Sequence, residues 1–266
     1  MAEVVSAESL FGLTGRTAVI TGGTRGVGRA AAEALLGQGA EVMVTSRSAD
    51  EAAAAQRELS ELGKAHAVAA DLGDQTGVTR FASEVLERFP QVHVLVNNAG
   101  RSWGAPFEDY PAGAFTKLLQ LNTVAPFHLV QALLPALTAA ATEEDPARVI
   151  NIGSIDGHAV GPFQNYGYAT AKAALHHLTR VLARELGPRH ITVNCLALGP
   201  ILTRLTSVLL DAEGERMVRN NPLGRIGRLR DVCAPVLLLA GPGGSYLTGA
   251  VLPVDGGYAV SRWCDG

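Results

Sequence analysis

The chain has 266 residues, 47% of them hydrophobic, with 30 glycines spread along it and a formal charge of -3. That is enough apolar material for one sizeable core, the length suits a single α/β domain over 1–266, and the even composition excludes a disordered chain. Lysines and arginines are scattered, which speaks against nucleic acid or an anionic membrane and leaves a small molecule as the expected partner.

Met1 to Leu13 carry Glu3 and Glu8 and show neither a basic leader nor an apolar stretch. No later segment approaches about 18 uninterrupted apolar residues, so a soluble, cytoplasmic protein is expected. Short apolar runs then alternate with helical stretches: Thr17 to Ile20, Glu41 to Thr45, His66 to Ala70, Val92 to Val96, Val149 to Ile152, Ile191 to Leu196 and Ala250 to Val254. Runs apolar on both sides are strands covered on both faces, and the gaps are long enough for right-handed crossovers. A doubly wound, Rossmann-type parallel sheet of about seven strands follows, with helices on both faces. Ala-rich Arg29 to Leu36 and Glu51 to Leu62 read as helices, the first stopped by Gly37 to Gly39. The mixed segment 201–223, bounded by Pro200 and Pro222, reads as a mobile lid, made apolar by Leu202, Leu205, Val208, Leu209 and Leu210. Cys195, Cys233 and Cys264 are widely spaced and lack a CxxC, which argues against a disulfide framework, and no metal-binding spacing is present.

Directly after the first strand comes Thr21-Gly22-Gly23-Thr24-Arg25-Gly26-Val27-Gly28, leading into a helix. Glycines let the backbone approach a pyrophosphate, and the helix N-terminus offers free N–H groups and partial positive charge, so Gly22, Thr24, Arg25, Gly26, Val27 and Gly28 are cofactor candidates. A glycine-rich turn without ligand is the competing reading. At the end of the second strand, where a carboxylate would take the ribose hydroxyls of NAD, the chain reads Ser46-Arg47-Ser48. A guanidinium there, joined by Arg25, suits a 2'-phosphate, so NADPH/NADP+ is expected over NADH; a solvated Arg47 is the alternative. Asp71-Leu72 could meet the adenine amino group, or Asp71 could be a helix N-cap. Asn98, Ala99 and Gly100 close the fourth strand, small enough for a cofactor to pass.

Tyr168 and Lys172 lie four apart, one helical turn on the same face. A free phenol has a pKa of about 10 and is a sluggish acid at neutral pH; a neighbouring ammonium favours its phenolate, which would make Tyr168 a usable proton donor. Tyr166 has Thr170 in the position where Tyr168 has its lysine, so it reads as a pocket residue, with Trp103, His158 and Gln164 as further substrate candidates. His176 and His177 read as packing or interface residues.

These motifs resemble the short-chain dehydrogenase/reductase family of single-domain type: TGxxxGxG at Thr21, Gly22, Gly26 and Gly28, NNAG at Asn97 to Gly100, and YxxxK at Tyr168 and Lys172. The resemblance runs from about Gly12 to Gly257. It implies that Asn122 and Ser154 complete the catalytic set, although a satisfied helical asparagine and a turn serine are the plain alternatives. By the same likeness Ser154 binds the substrate carbonyl oxygen, Lys172 also holds the ribose hydroxyls, and Asn122 supports a proton-relaying water. Gly199, Ile201 and Thr203 would contact the nicotinamide carboxamide. The family's usual Pro-Gly is Leu198-Gly199 here, which removes a preset φ. The wording from Asn151 to Ser154 and from Leu247 to Gly257 looks like the 3-oxoacyl-thioester reductases, including the rhamnolipid-pathway ketoreductases. The likeness also implies a homotetramer. A dehydrogenase of sugar, steroid or cyclic secondary alcohols, and a non-catalytic NADPH-sensing module, are the rival readings.

Overall fold

The computed structural model describes residues 5–161, 163–203 and 207–261, with backbone alone for 207–212. Leu205 and Cys264 lie outside the described residues, as do the side chains of Val208, Leu209 and Leu210. Seven parallel strands form one sheet: β1 (Thr17–Ile20), β2 (Glu41–Ser46), β3 (Ala65–Ala69), β4 (Val94–Asn97), β5 (Ala147–Ser154), β6 (Ile191–Leu198) and β7 (Val251–Val254). Their order is β3-β2-β1-β4-β5-β6-β7, the Rossmann-type arrangement expected. The chain reverses direction across the sheet between β1 and β4, and the crevice above that point is where such sheets bind ligands.

The α-helices among the described residues are α1 (Ala7–Phe11), α2 (Gly26–Gly37), α3 (Ala49–Ser60), α4 (Gln75–Arg88), α5 (Ala112–Leu119), α6 (Ala125–Ala140), α7 (Tyr166–Leu186), α8 (Ser207–Asn220) and α9 (Leu229–Ala240), joined by short 3-10 turns and one π segment. One apolar layer joins α2, α3 and α9 to the sheet through residues such as Leu35, Leu59 and Val236. The other joins α4, α6 and α7 through Phe81, Leu133 and Leu186. Residues 112–140 are long and apolar enough by composition to cross a membrane, but Leu129, Leu133 and Leu137 spend that apolarity in the second layer.

β5 and β6 run longer than their apolar stretches predict, β5 by two residues at each end and β6 through Ala197 and Leu198. Asn151 and Asn194 sit inside the ladder, buried, because each finds partners there: Asn151 Nδ2 donates to Thr179 Oγ1 at 2.9 Å and Asn194 Nδ2 to the Leu247 carbonyl at 2.7 Å. Buried polar groups are tolerated when satisfied. The same bonds link the sheet to α7. Asn97 Nδ2 donates to Asn151 Oδ1 at 2.9 Å, and the line β4–β5–α7 so formed fixes the rotation of the helix that carries Tyr168 and Lys172.

Candidate active site

A cleft of about 920 Å³ lies over the carboxyl ends of the strands. All the dinucleotide candidates line it except Gly28. That residue stands behind the turn, where an added Cβ would collide with Asn98 Nδ2 and the Gly22 carbonyl. Gly22 and Gly26 have φ of 65° and 56°, a region that side chains disfavour. Asn98 Nδ2 donates to the carbonyls of Thr21 and Gly22 at 2.8 and 3.0 Å, so the end of β4 braces the turn. Arg25, at the N-cap of α2, makes no side-chain capping bond, which leaves the first amides of that helix to the cleft. Shape and donors therefore fit a pyrophosphate.

At the far end, β2 delivers Ser46 and Arg47, and Ser48 caps α3 by accepting from the Glu51 amide at 3.3 Å. The sequence reading finds no carboxylate at this place, and the fold corrects that. Glu51, in the first turn of α3, lines the cleft, takes Arg25 Nη1 at 3.1 Å and accepts from Ser46 Oγ at 2.8 Å. The N-cap alternative for Asp71 also falls: Asp74 caps α4 by accepting from Gly77 N at 2.7 Å, while Asp71 turns the chain by accepting from Gly73 N at 2.9 Å and faces the cleft with Leu72.

At the near end, Asn122 is buried in a one-turn π segment, Gln120–Val124, between α5 and α6. Its amide explains the widening: Nδ2 donates to the carbonyls of Leu118 and Arg101, both at 2.9 Å, and Oδ1 accepts from Arg101 N at 3.3 Å. A side chain inserted into the ladder favours an i→i+5 turn. Thr123 Oγ1 donates to the Ala171 carbonyl at 2.8 Å, tying this segment to α7 beside Lys172.

Ser154, the last residue of β5, is buried and hydrogen-bonds the Tyr168 phenol. Lys172 is buried with Nζ donating to the Ile152 carbonyl at 2.7 Å and lying 5.6 Å from the centre of the Tyr168 ring. The expectation that Lys172 makes Tyr168 more acidic is not met. Burial raises the phenol above its ordinary value, the charge of Asp156 raises it further, and the Ser154 bond opposes them. The reason is placement: the ammonium is spent on a carbonyl, and burial pulls Lys172 itself down to about 8. Asp156, two residues past Ser154, was not singled out in the sequence; burial raises its carboxyl although Asn165 Nδ2 donates to it at 2.8 Å. A carboxylate so near a serine at a strand end is the signal that could have found it.

The substrate candidates sit beside the cleft, not among its lining residues. Trp103, Tyr110, Phe107 and Tyr166 form an edge-to-face aromatic group, with Tyr110 centroids 5.0 Å from Trp103 and 5.4 Å from Tyr166. Tyr110 Oη accepts from Gly167 N at 3.1 Å, and Ala105 N donates to the Gln164 carbonyl at 3.1 Å, closing the 100–110 loop onto the start of α7. His158 is exposed and 5.7 Å from His176, which is buried against β5; His177 is exposed. Leu198 continues β6, in register between Ser154 and Val254. Gly199 follows because a Cβ would lie 2.6 Å from that of Asp255. Ile201 bridges to Gly227, and Thr203 stands over Gly26. Among the described residues no group of three or more His, Cys, Asp or Glu could hold a metal.

With this geometry in place, comparison with known proteins is decisive. The family profile described as enoyl-(acyl carrier protein) reductase matches residues 22–259. The chain belongs to the short-chain dehydrogenase/reductase family. It is 42% identical over 254 residues to the rhamnolipids biosynthesis 3-oxoacyl-[acyl-carrier-protein] reductase of Pseudomonas aeruginosa, covering 93% of this chain and 98% of that one. It is 36% identical to an L-rhamnose 1-dehydrogenase (NADP(+)) of Thermoplasma acidophilum, over 93% of this chain and 97% of that one. Among solved structures, the Pseudomonas aeruginosa RhlG/NADP active-site complex superposes with a TM-score of 0.91 at 42% identity, covering 94% of this chain and 99% of that one. The protein is accordingly an oxidoreductase.

Proposed function

We propose that this protein reduces the carbonyl of a hydrophobic ketone, a 3-oxoacyl thioester first among them, with NADPH. The convergence of Ser154, Tyr168 and Lys172 at one end of a dinucleotide-shaped cleft carries the reading. The cofactor is NADP(H), as in the solved complex with RhlG, and Arg25, Ser46, Arg47 and Ser48 are the residues that would hold its 2'-phosphate. When bound it supplies the hydride to the carbonyl carbon.

In this reading the Tyr168 phenol, kept protonated by burial, donates its proton to the carbonyl oxygen while the Ser154 hydroxyl hydrogen-bonds the same oxygen. The Lys172 ammonium, 5.6 Å from the centre of the ring, would stabilise the phenolate left behind by turning from the Ile152 carbonyl toward it, and Asn122 holds the π turn open beside it for a proton-relaying water. Gly199, Ile201 and Thr203 orient the nicotinamide end. The thioester assignment is supported by the identity to the rhamnolipid-pathway reductase and by the aromatic group of Trp103, Phe107, Tyr110 and Tyr166, an apolar wall beside the reacting end. The chain acts as one domain, with the segment 201–223, mostly helix α8, as its lid. That lid is rooted by Met217, which packs with Ile155 and Tyr258, and by Asn221 Nδ2, which donates to the Asp255 carbonyl at 3.0 Å. Assembly as a homotetramer is part of the proposal, with exposed Phe127 on α6 and Val181 on α7 as apolar contact points.

The likeness to the L-rhamnose 1-dehydrogenase favours a second reading, oxidation of a secondary alcohol with NADP+. The test is cofactor turnover against a 3-oxoacyl thioester, a cyclic ketone and a sugar, in both directions, with Tyr168→Phe as control. Preferential NADPH consumption on the thioester, lost in the variant, is expected. Faster oxidation of the sugar would overturn the substrate assignment, and turnover that survives Tyr168→Phe would overturn the mechanism.

A further inference from the structure

Arg25 and Ser46, the two groups best placed to receive a 2'-phosphate, are both held by Glu51. Its carboxylate takes the guanidinium on one oxygen and the serine hydroxyl on the other. The residue is set there by α3: its amide donates to Ser48 Oγ at 3.3 Å, fixing the first turn, so only side-chain rotation can move the carboxylate away. Arg25 has no other carboxylate partner among the described residues, and Arg47 makes no ion pair there. The corner therefore carries two cations and one anion, and the anion neutralises the cation nearest the glycine turn.

We propose that Glu51 sets how strictly the cleft distinguishes a 2'-phosphate from a bare ribose hydroxyl. The proposal rests on the NADPH reading for the identity of the ligand. A 2'-phosphate must draw Arg25 and Ser46 off Glu51 and then sit beside a carboxylate of its own sign, with charge approaching -2 at neutral pH. A ribose hydroxyl meets no such conflict: it donates to the carboxylate while Arg25 stays in place. Glu51 thus narrows the preference that the two arginines would otherwise enforce, and the chain accepts NADH more readily than its arginines imply.

The experiment is calorimetric titration with adenosine 2',5'-bisphosphate and with adenosine 5'-monophosphate, which report this corner without any turnover. Glu51→Gln keeps the side-chain shape and the bond from Ser46 while removing the charge. It is expected to tighten the bisphosphate by about fivefold, the scale of one exposed ion pair released, and to leave the monophosphate equal or weaker. In an Arg25→Ala background the same substitution is expected to gain less, because Arg25 is what it frees. Weaker bisphosphate binding in Glu51→Gln would mean that Glu51 aligns Arg25 for the phosphate and would overturn the proposal, as would an unchanged ratio of the two ligands. A wild-type protein that binds both ligands alike, but prefers the bisphosphate once Glu51 is changed, would overturn the NADPH preference while supporting the role of Glu51.

Discussion

The two ends of the cleft are built on different physics. At the adenosine end the charged groups are in water: the side chains of Arg25 and Glu51 are 59% and 45% exposed, and they meet across two elements, the glycine turn and α3. Interactions there are screened, worth little singly, and cheap to exchange for a ligand's charge. At the reacting end Asn122, Lys172 and Ser154 are 1%, 4% and 7% exposed, and each is held by backbone groups of β5, the turn after it, α5 or the 100–101 loop. Burial there shifts proton affinities in opposite directions, raising the phenol of Tyr168 and lowering the ammonium of Lys172. In the proposed reading, one end would recognise its ligand by exchanging partners, and the other would react through groups held in place by burial.

Breaking the buried end should cost most. Tyr168→Phe is expected to lower turnover by about a hundredfold to ten-thousandfold, with NADPH affinity, measured by fluorescence titration, within about twofold of wild type. Comparable loss of both would remove Tyr168 from the chemistry. Gly28→Ala comes next, because its methyl group must displace Asn98 and the turn that Asn98 braces. It should weaken dinucleotide binding by more than about tenfold and lower the melting temperature, since an overpacked site costs about 1–3 kcal/mol. Unchanged affinity would separate the turn from the cofactor.

The contrast is sharpened by pH. Lys172, depressed to about 8 by burial, is protonated below that pH and loses its charge above it. In the proposed mechanism that charge stabilises the phenolate, so kcat/KM for NADPH should be flat below pH 8 and fall about tenfold per unit above it. Lys172→Met should abolish this limb along with most of the activity; a limb near pH 10 would show that the ammonium is better solvated than its burial implies. The smallest effect belongs to the exposed end. Arg47→Ala should reduce the preference for NADPH over NADH by about threefold to tenfold without changing kcat at saturating cofactor, as read from the two dissociation constants.

Much of this was legible in the chain. Each strand shows as an apolar run because both faces of a parallel sheet are covered, and the glycine turn shows because backbone proximity permits few residue types. Tyr168 and Lys172 are visible as a pair because helical spacing is local. Asn122 is visible as a residue but its π turn is not, since that turn depends on the carbonyls of Leu118 and Arg101, the second of them across a loop. Asp156 escapes notice because its effect on Tyr168 acts between separate elements. Glu51 escapes for the same reason: it reads as an ordinary first-turn acid of α3 until the fold brings it to Arg25, 26 residues away in the chain.

The sequence by itself therefore determined the architecture, the family and the pairing of Tyr168 with Lys172, all carried by patterns of short period. Tertiary structure alone decided which charges meet: that Lys172 turns to the Ile152 carbonyl, that Asp156 acts on the phenol, and that Glu51 holds Arg25. Electrostatic partners are chosen by distance and burial, and neither is written in the spacing of residues along a chain.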